Sequence, residues 1–306
     1  MGVNMRKGVR FYILWFILPA ALLYTVFLAL PLLDSLRLSF FTVNDSRQMV
    51  FSGFDNYKTL LTEGKWLEQF LRALANSFKF FAINMLLQNP VALLLAALLA
   101  TKIRGGHIYR TILYIPVTLS LVVVAFIWQM LLNPSWGIIR DIMDIFGLGA
   151  FYKPWLGIEG SAINVMALLS GWQNLGVPII LYYASFIQIP DDLIEASRVD
   201  GSNAWRTFWT IKLPLVMPMV ATISLMTYIF NFNAFDLIYA IKGPLAGPNF
   251  STDTMMSFFF RTFYGHEFQQ PNETMGATVA TMILLILMIG VLIYILWNKK
   301  AKKDNF

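Results

Sequence analysis

The stretch Ile189–Pro218 reads IPDDLIEASRVDGSNAWRTFWTIKLPLVMP, a charged and glycine-interrupted segment between two long uncharged ones. Pro190 and the acidic pair Asp191 and Asp192 favour a helix start, because negative charge suits an exposed helix N-terminus. Glu195, Ala196 and Val199 follow at helix-neighbour spacings, and Gly201 is a natural stop in the left-handed region. Ser202 or Asn203 can cap a second helix expected over Trp205–Ile211. Pro214 and Pro218 then open the next apolar run. The expectation is two short helices joined by a glycine corner over residues 191–212. Charge and periodicity alone leave three uses open: a solvated loop, a docking element for a soluble partner, or an amphipathic element on a membrane surface.

On either side of this hinge, and through the rest of the chain, six stretches contain no Asp, Glu, Lys or Arg: Phe11–Leu33, Phe80–Thr101, Thr111–Ile139, Gly160–Pro190, Leu213–Phe235 and Thr274–Asn298. Each reaches the roughly 20 residues that cross a hydrocarbon core of about 30 Å. An outer-membrane barrel would show segments of about 10 residues with a polar lumen face. Hydrophobic residues are 58% of the 306 positions and charged ones 13%, about half the usual charged fraction of a soluble domain. The reading is an all-α polytopic membrane protein with six helices and one domain over 1–306.

With both ends inside, the segments 1–10, 102–110, 191–212 and 299–306 hold 13 of the 23 Lys and Arg but 5 of the 17 Asp and Glu. Short basic loops stay on the cytoplasmic side, so both termini are expected there. The clusters Arg6, Lys7, Arg10 and Lys299, Lys300, Lys302, Lys303 carry much of this bias. The net charge of +6 is therefore a topology signal rather than a nucleic-acid footprint. The first apolar run exceeds a signal-peptide core of about 7–15 residues and is expected to be a retained anchor. With no cysteine, disulfides, thiolate metal sites and thiol catalysis are excluded.

Between the runs, short helices are expected at Trp66–Ala75, Ile138–Phe146 and Thr254–Phe263. Pro19 and Pro31 can bend the first run. Gly243–Pro244 and Gly247–Pro248 are turn signals. Gly276, Ala277 and Ala280 give the last run a small-residue face that lets another helix approach.

Glu195-Ala196-Ser197, Asp200-Gly201 and Ile211-x-Leu213-Pro214 resemble the EAA–G–I-LP signature of permease subunits in bacterial binding-protein-dependent ABC importers. Ser197 stands where many members carry a second alanine. Leu18-Pro19, Phe27, Pro31, Ser39-Phe40 and the Asn233-Ala234-Phe235-Asp236 to Gly243-Pro244 region are similar to the carbohydrate-importer branch, and within it to the maltose/glycerol-phosphate first permease subunit. The resemblance implies a type I importer transmembrane domain in the bacterial inner membrane. It implies that Glu195, Ala196, Ser197, Arg198, Asp200 and Gly201 couple this chain to an ATPase. It also implies four partners: a homologous second permease, two nucleotide-binding subunits that carry the ATP and Mg, and an extracytoplasmic solute-binding protein.

The chain itself has no Walker loop, since no Gly-x-x-x-x-Gly-Lys followed by Ser or Thr occurs. His107 and His266 lie in expected loops without a ligand cluster, so neither a metal site nor a catalytic group is assigned. Amides within apolar runs suggest a solute path, because hydrocarbon penalises unpaired donors and acceptors. The candidates are Asn84, Gln88, Asn89, Gln173, Asn174, Asn231, Asn233 and Asp236, with Trp172, Tyr228, Phe230, Phe232 and Phe235 able to pack on sugar faces. Their alternative use is interhelical hydrogen bonding. An ion-gradient-driven transporter and a non-transport membrane scaffold are the rival readings. The first often shows inverted repeats, and none is evident in this sequence.

Overall fold

A computed structural model describes the backbone of residues 7–44, 46, 48–101, 103–266 and 269–303, and side chains between 15 and 299. Arg6, Lys102, Asp45 and Arg47 lie outside the described residues, as do the side chains of Lys7, Arg10, Lys300, Lys302 and Lys303. Among the described residues, four helices are long and apolar enough to cross a membrane: Trp15–Leu38, Gly64–Leu99, Ala204–Leu245 and Glu273–Lys299. Two bent pairs, Gly106–Thr118 with Leu121–Leu131 and Glu159–Gln173 with Gly176–Phe186, bring the spans to six. These six match the six charge-free runs in order.

Three spans contain a π-turn, and each π-turn directly precedes an X-Pro pair. The turns are Thr25–Ala29 before Leu30-Pro31, Asn84–Gln88 before Asn89-Pro90, and Phe208–Lys212 before Leu213-Pro214. In each, the residue before proline donates its N–H to the carbonyl five back: Leu30 to Thr25, Asn89 to Asn84 and Leu213 to Phe208. Proline has no N–H to give, and its ring collides with the carbonyl four back. Widening one turn to i→i+5 relieves that clash without ending the helix.

This device corrects two expectations. The helix foreseen over Trp205–Ile211 is not separate, because Ala204–Thr207 runs through the π-turn into Leu213–Phe232. Likewise Trp66–Ala75 is the opening of the long second span, since nothing between Ala75 and Phe80 breaks Gly64–Ile83. By contrast, Ile138–Ile145 and Met255–Tyr264 form where short helices were expected.

The third run breaks instead of bending. Leu119 and Ser120 are extended (ψ 140° and 134°), and the two halves meet at 93°. Non-helical backbone at membrane depth needs a polar partner, and here Gln173 Nε2 donates to the Leu119 carbonyl at 3.4 Å. The fourth span bends by 48° between Gln173 and Gly176. Gly176 is required there, as a Cβ would come within 2.9 Å of the Tyr114 Cα.

The chain divides into two compact units, Met1–Leu67 with Phe259–Met282, and Glu68–Phe258 with Ile283–Phe306. In the first, Phe41–Val43 and Met49–Phe51 form a small antiparallel hairpin that charge patterning did not foresee. Helix Asp55–Thr62 holds it, with Asn56 Nδ2 donating to the Ser39 and Phe41 carbonyls at 3.0 and 2.8 Å. Gly276 lies so close to Phe263 that a Cβ would come within 2.8 Å of its Cα, as the small-residue face anticipates. In the second unit the core is built around Ala92, Ala96, Ile179, Tyr182, Phe186 and Phe208, with satellite clusters around Met166 and Leu169.

Candidate functional site

The hinge is a helix Asp191–Val199 closed by a tight corner. Gly201 has φ +79°, its N–H bonds the Arg198 carbonyl at 3.0 Å, and the Ser202 N–H bonds the Ser197 carbonyl at 3.0 Å. This pair of bonds is the Schellman closure, which needs a left-handed residue at the glycine position. Asn203 then caps the next helix, its Oδ1 accepting from the Arg206 N–H at 2.8 Å. Of the two capping residues considered, it is Asn203 that does this.

The two sides of Asp191–Val199 differ. Facing in, Ile194 joins the core with Ile189, Phe186 and Phe208. Ser197 is buried beside it and shares a 2.8 Å hydrogen bond with the Thr207 hydroxyl across the corner. Facing out, Leu193, Ala196 and Val199 form an exposed apolar stripe at i, i+3, i+6, with Val199 87% exposed. Glu195, Arg198 and Asp200 are exposed around it. The helix is thus clamped to the fourth and fifth spans and offers an apolar ridge with a charged rim.

The serine at 197 therefore has a use that alanine lacks. Replacing Ser197 with alanine strands the buried Thr207 hydroxyl and is expected to destabilise the corner by about 1–2 kcal/mol. Hydrogen exchange at the Gly201 and Ser202 amides reads this directly. Adding Thr207→Val should recover most of the loss, and no recovery would remove the hydroxyl pair as its cause.

The candidate path residues fall into separate groups. Gln88, Asn174 and Asn231 line a recess of about 150 Å³ together with Phe230, Thr227 and Met226. Asn84 is 2% exposed and donates Nδ2 to Asn231 Oδ1 at 2.6 Å, while Asn89 Nδ2 donates to Thr227 Oγ1 at 3.1 Å. Both pairs join the second span to the fifth. In an α-helix, residues five apart point about 140° away from each other. The π-turn at Asn84–Gln88 stacks Asn84 and Asn89 on one side, opposite Thr227 and Asn231 one turn apart. Gly171 permits this, because a Cβ there would overlap Asn84 Oδ1.

The remaining candidates lie elsewhere. Gln173 serves the break at Leu119. Trp172 packs edge-on against Trp128 with centroids 5.4 Å apart. Tyr228 donates its hydroxyl to the Ile286 carbonyl at 2.7 Å, locking the fifth span to the sixth. Asn233 is exposed and bonds back to the Ile229 carbonyl at 2.8 Å. Phe235 packs on Tyr239, and Asp236 opens the helix Asp236–Lys242 without an ion pair to Lys242 among the described residues. Phe230 lines the recess as expected of an aromatic near the path, whereas Thr227 and Met226 were missed. Only Thr227 carried a signal, a hydroxyl four residues before Asn231 on the same face.

The turn after Lys242 carries φ above zero at Ala246, Asn249 and Phe250 as well as at Gly243 and Gly247. Arg72 donates to the Asn249 carbonyl, and Asn76 Nδ2 donates to the Ser251 and Asp253 carbonyls at 3.0 and 2.9 Å. Such a run of left-handed residues persists only where neighbours hold it.

Residues 88–301 match the family model described as binding-protein-dependent transport system inner membrane component. A probable ABC transporter permease protein, YurN of Bacillus subtilis, is 30% identical over 76% of this chain and 78% of its own length. The probable starch degradation products transport system permease protein AmyD of Thermoanaerobacterium thermosulfurigenes is 29% identical over 76% of each chain. Among solved structures, a chain of a bacterial ABC transporter involved in import of the acidic polysaccharide alginate superposes with a TM-score of 0.74 at 20% identity, covering 96% of both chains. The chain belongs to the inner-membrane components of binding-protein-dependent transport systems, as a multi-pass permease subunit of an ABC importer.

Proposed function

We propose that this permease subunit moves a sugar, oligosaccharide or related polyol inward by alternating access, driven by ATP hydrolysis in partner subunits. The single observation that carries the reading is the hinge: a helix clamped on its inner side and presenting Leu193, Ala196 and Val199 outward. An apolar ridge held this firmly suits insertion into the groove of a soluble protein, and movement of the ridge would be passed through Ile194 and Phe208 to the spans. The loop charges support a cytoplasmic position for both termini and the hinge.

In this cycle a solute-loaded binding protein docks outside, on this chain and on a homologous second permease. ATP and Mg are bound by the two ATPase subunits. Their closure draws the hinge helices together and shifts the membrane domain between two states of different nucleotide-site closure energy. The whole chain, 1–306, works as one membrane domain. The recess with Gln88, Asn174 and Asn231 offers mixed donors and acceptors, as hydroxyl-rich solutes require. A relative named for starch degradation products and the alginate importer's fold support a carbohydrate cargo.

A thiol at the ridge tests the docking. The chain has no cysteine, so Ala196→Cys introduces a single one. In the assembled complex, a short thiol–amine cross-linker is expected to join it to the Walker-motif subunit, and that subunit to protect it from maleimide. Full labelling of the introduced thiol, without cross-linking, in an assembled and ATP-hydrolysing complex would remove the hinge from the interface. ATPase stimulation by binding protein plus a panel of sugars, in reconstituted complex, then identifies the cargo.

A further inference from the structure

We propose that the groove between the third and fourth spans binds an anionic phospholipid. Its walls are the helices Gly106–Thr118 and Gly176–Phe186, and the open space between them is about 600 Å³. The groove is graded along its length. His107 and Arg110 stand at the end where the third span begins, and Ile115 and Ile180 line it further along. Ile187 completes the wall only four residues before Asp191, so the charged end lies on the membrane face that carries the hinge helix.

Arg110 is half-buried and held in place, not neutralised. Its guanidinium sits 4.4 Å from the Tyr183 ring centroid, and its Nε donates to the Gly106 carbonyl at 3.3 Å. No carboxylate among the described residues pairs with it. The sequence explains why: no Asp or Glu occurs between Glu68 and Asp141, or between Glu159 and Asp191. Neither wall can supply a counter-ion. A fixed guanidinium beside an aromatic ring, next to the positive end of a thirteen-residue helix, is suited to a phosphodiester.

The occupant is a lipid rather than a free anion because of the rest of the groove. Inorganic phosphate would satisfy Arg110 and leave the Ile115–Ile180 length unfilled. A phospholipid fills both parts, its headgroup at Arg110 and an acyl chain along the isoleucines. Basic grooves between spans at the membrane surface recognise anionic headgroups in this way. Exposed Ile108 and Ile112 on the same helix add apolar surface beside the groove, as a lipid neighbour requires.

Native mass spectrometry of the full-length chain, purified together with the second permease, tests this, with phosphatidylglycerol and phosphatidylcholine of identical acyl chains as probes and inorganic phosphate as a third arm. The expected result is preferential retention of phosphatidylglycerol, lowered about fivefold by Arg110→Gln. Arg140→Gln, far along the chain in an exposed helix, should leave retention unchanged. Ile180→Trp, which fills the apolar part without altering charge, should also lower it, so a charge-only surface effect is separable from a built site. Equal retention of the two lipids, or an unaffected adduct in Arg110→Gln, overturns the proposal. Full competition by inorganic phosphate overturns it in favour of a soluble anion. Loss of the second permease from Arg110→Gln preparations, with lipid retention intact, overturns it in favour of a subunit interface.

Discussion

Replacing Gly201 with valine is expected to lower ATP-driven uptake on the order of tenfold while leaving membrane insertion intact. Nothing lies within 4 Å of a Cβ at this position, so crowding is not the reason. The reason is the backbone, since φ is +79°. An L-residue there costs about 1–2 kcal/mol, and a β-branched one more. Relieving that strain means giving up the paired bonds from Gly201 to Arg198 and from Ser202 to Ser197, each contributing about 1 kcal/mol. A loss of 1–2 kcal/mol changes a local folded population by a factor of roughly 5–30. Uptake into vesicles and membrane-fraction blots read the two quantities separately. Gly201→Asn is the control, because asparagine tolerates the left-handed region. If valine and asparagine behave alike, φ is not what this corner needs.

Replacing Gly290 with alanine is expected to destabilise the chain by about 1–3 kcal/mol, the usual range for overpacking a filled interface. A Cβ at Gly290 would come within 2.6 Å of Tyr228 Cζ. That ring cannot simply swing away. Its hydroxyl is bonded to the Ile286 carbonyl at 2.7 Å, and Phe81 and Phe232 flank it at centroid distances of 5.4 and 4.7 Å. Thermal unfolding of the purified chain measures the loss. Tyr228→Leu in the same background should return part of it by emptying the space the methyl needs. An unchanged melting temperature for Gly290→Ala would mean that the ring is not locked between the fifth and sixth spans.

The amides of the apolar runs show how a correct alarm can leave its cause undecided. Hydrocarbon punishes unpaired polar groups, so Asn84, Asn89, Gln173 and Asn231 had to meet something. The structure gives most of them protein partners. Asn84 meets Asn231, Asn89 meets Thr227, and Gln173 meets the carbonyl freed at Leu119. Asn231 also reaches the recess, with Gln88 and Asn174. Residue type does not separate these uses, since each depends on which neighbour the side chain faces.

The hinge helix was legible down to its glycine because every determinant is local: acidic residues at its start, a run free of breakers, and one residue able to take positive φ. The six spans were legible for a similar reason, as transfer of an apolar run into lipid is a sum over its own residues. The path of the helix through Lys212 was not. Pro214 looked like a beginning, but the π-turn before it lets the helix pass through, as also happens before Pro31 and Pro90. Whether proline ends, bends or merely widens a helix depends on what holds the segments on either side.

Residue order alone thus set how often the chain enters lipid, where it comes out charged, and where it must turn a left-handed corner. Which faces meet was decided in three dimensions. The phase shift at Asn84–Gln88 and the bond from Asn84 to a residue 147 positions away are set by packing between spans. No local preference of φ, charge or hydropathy contains that information.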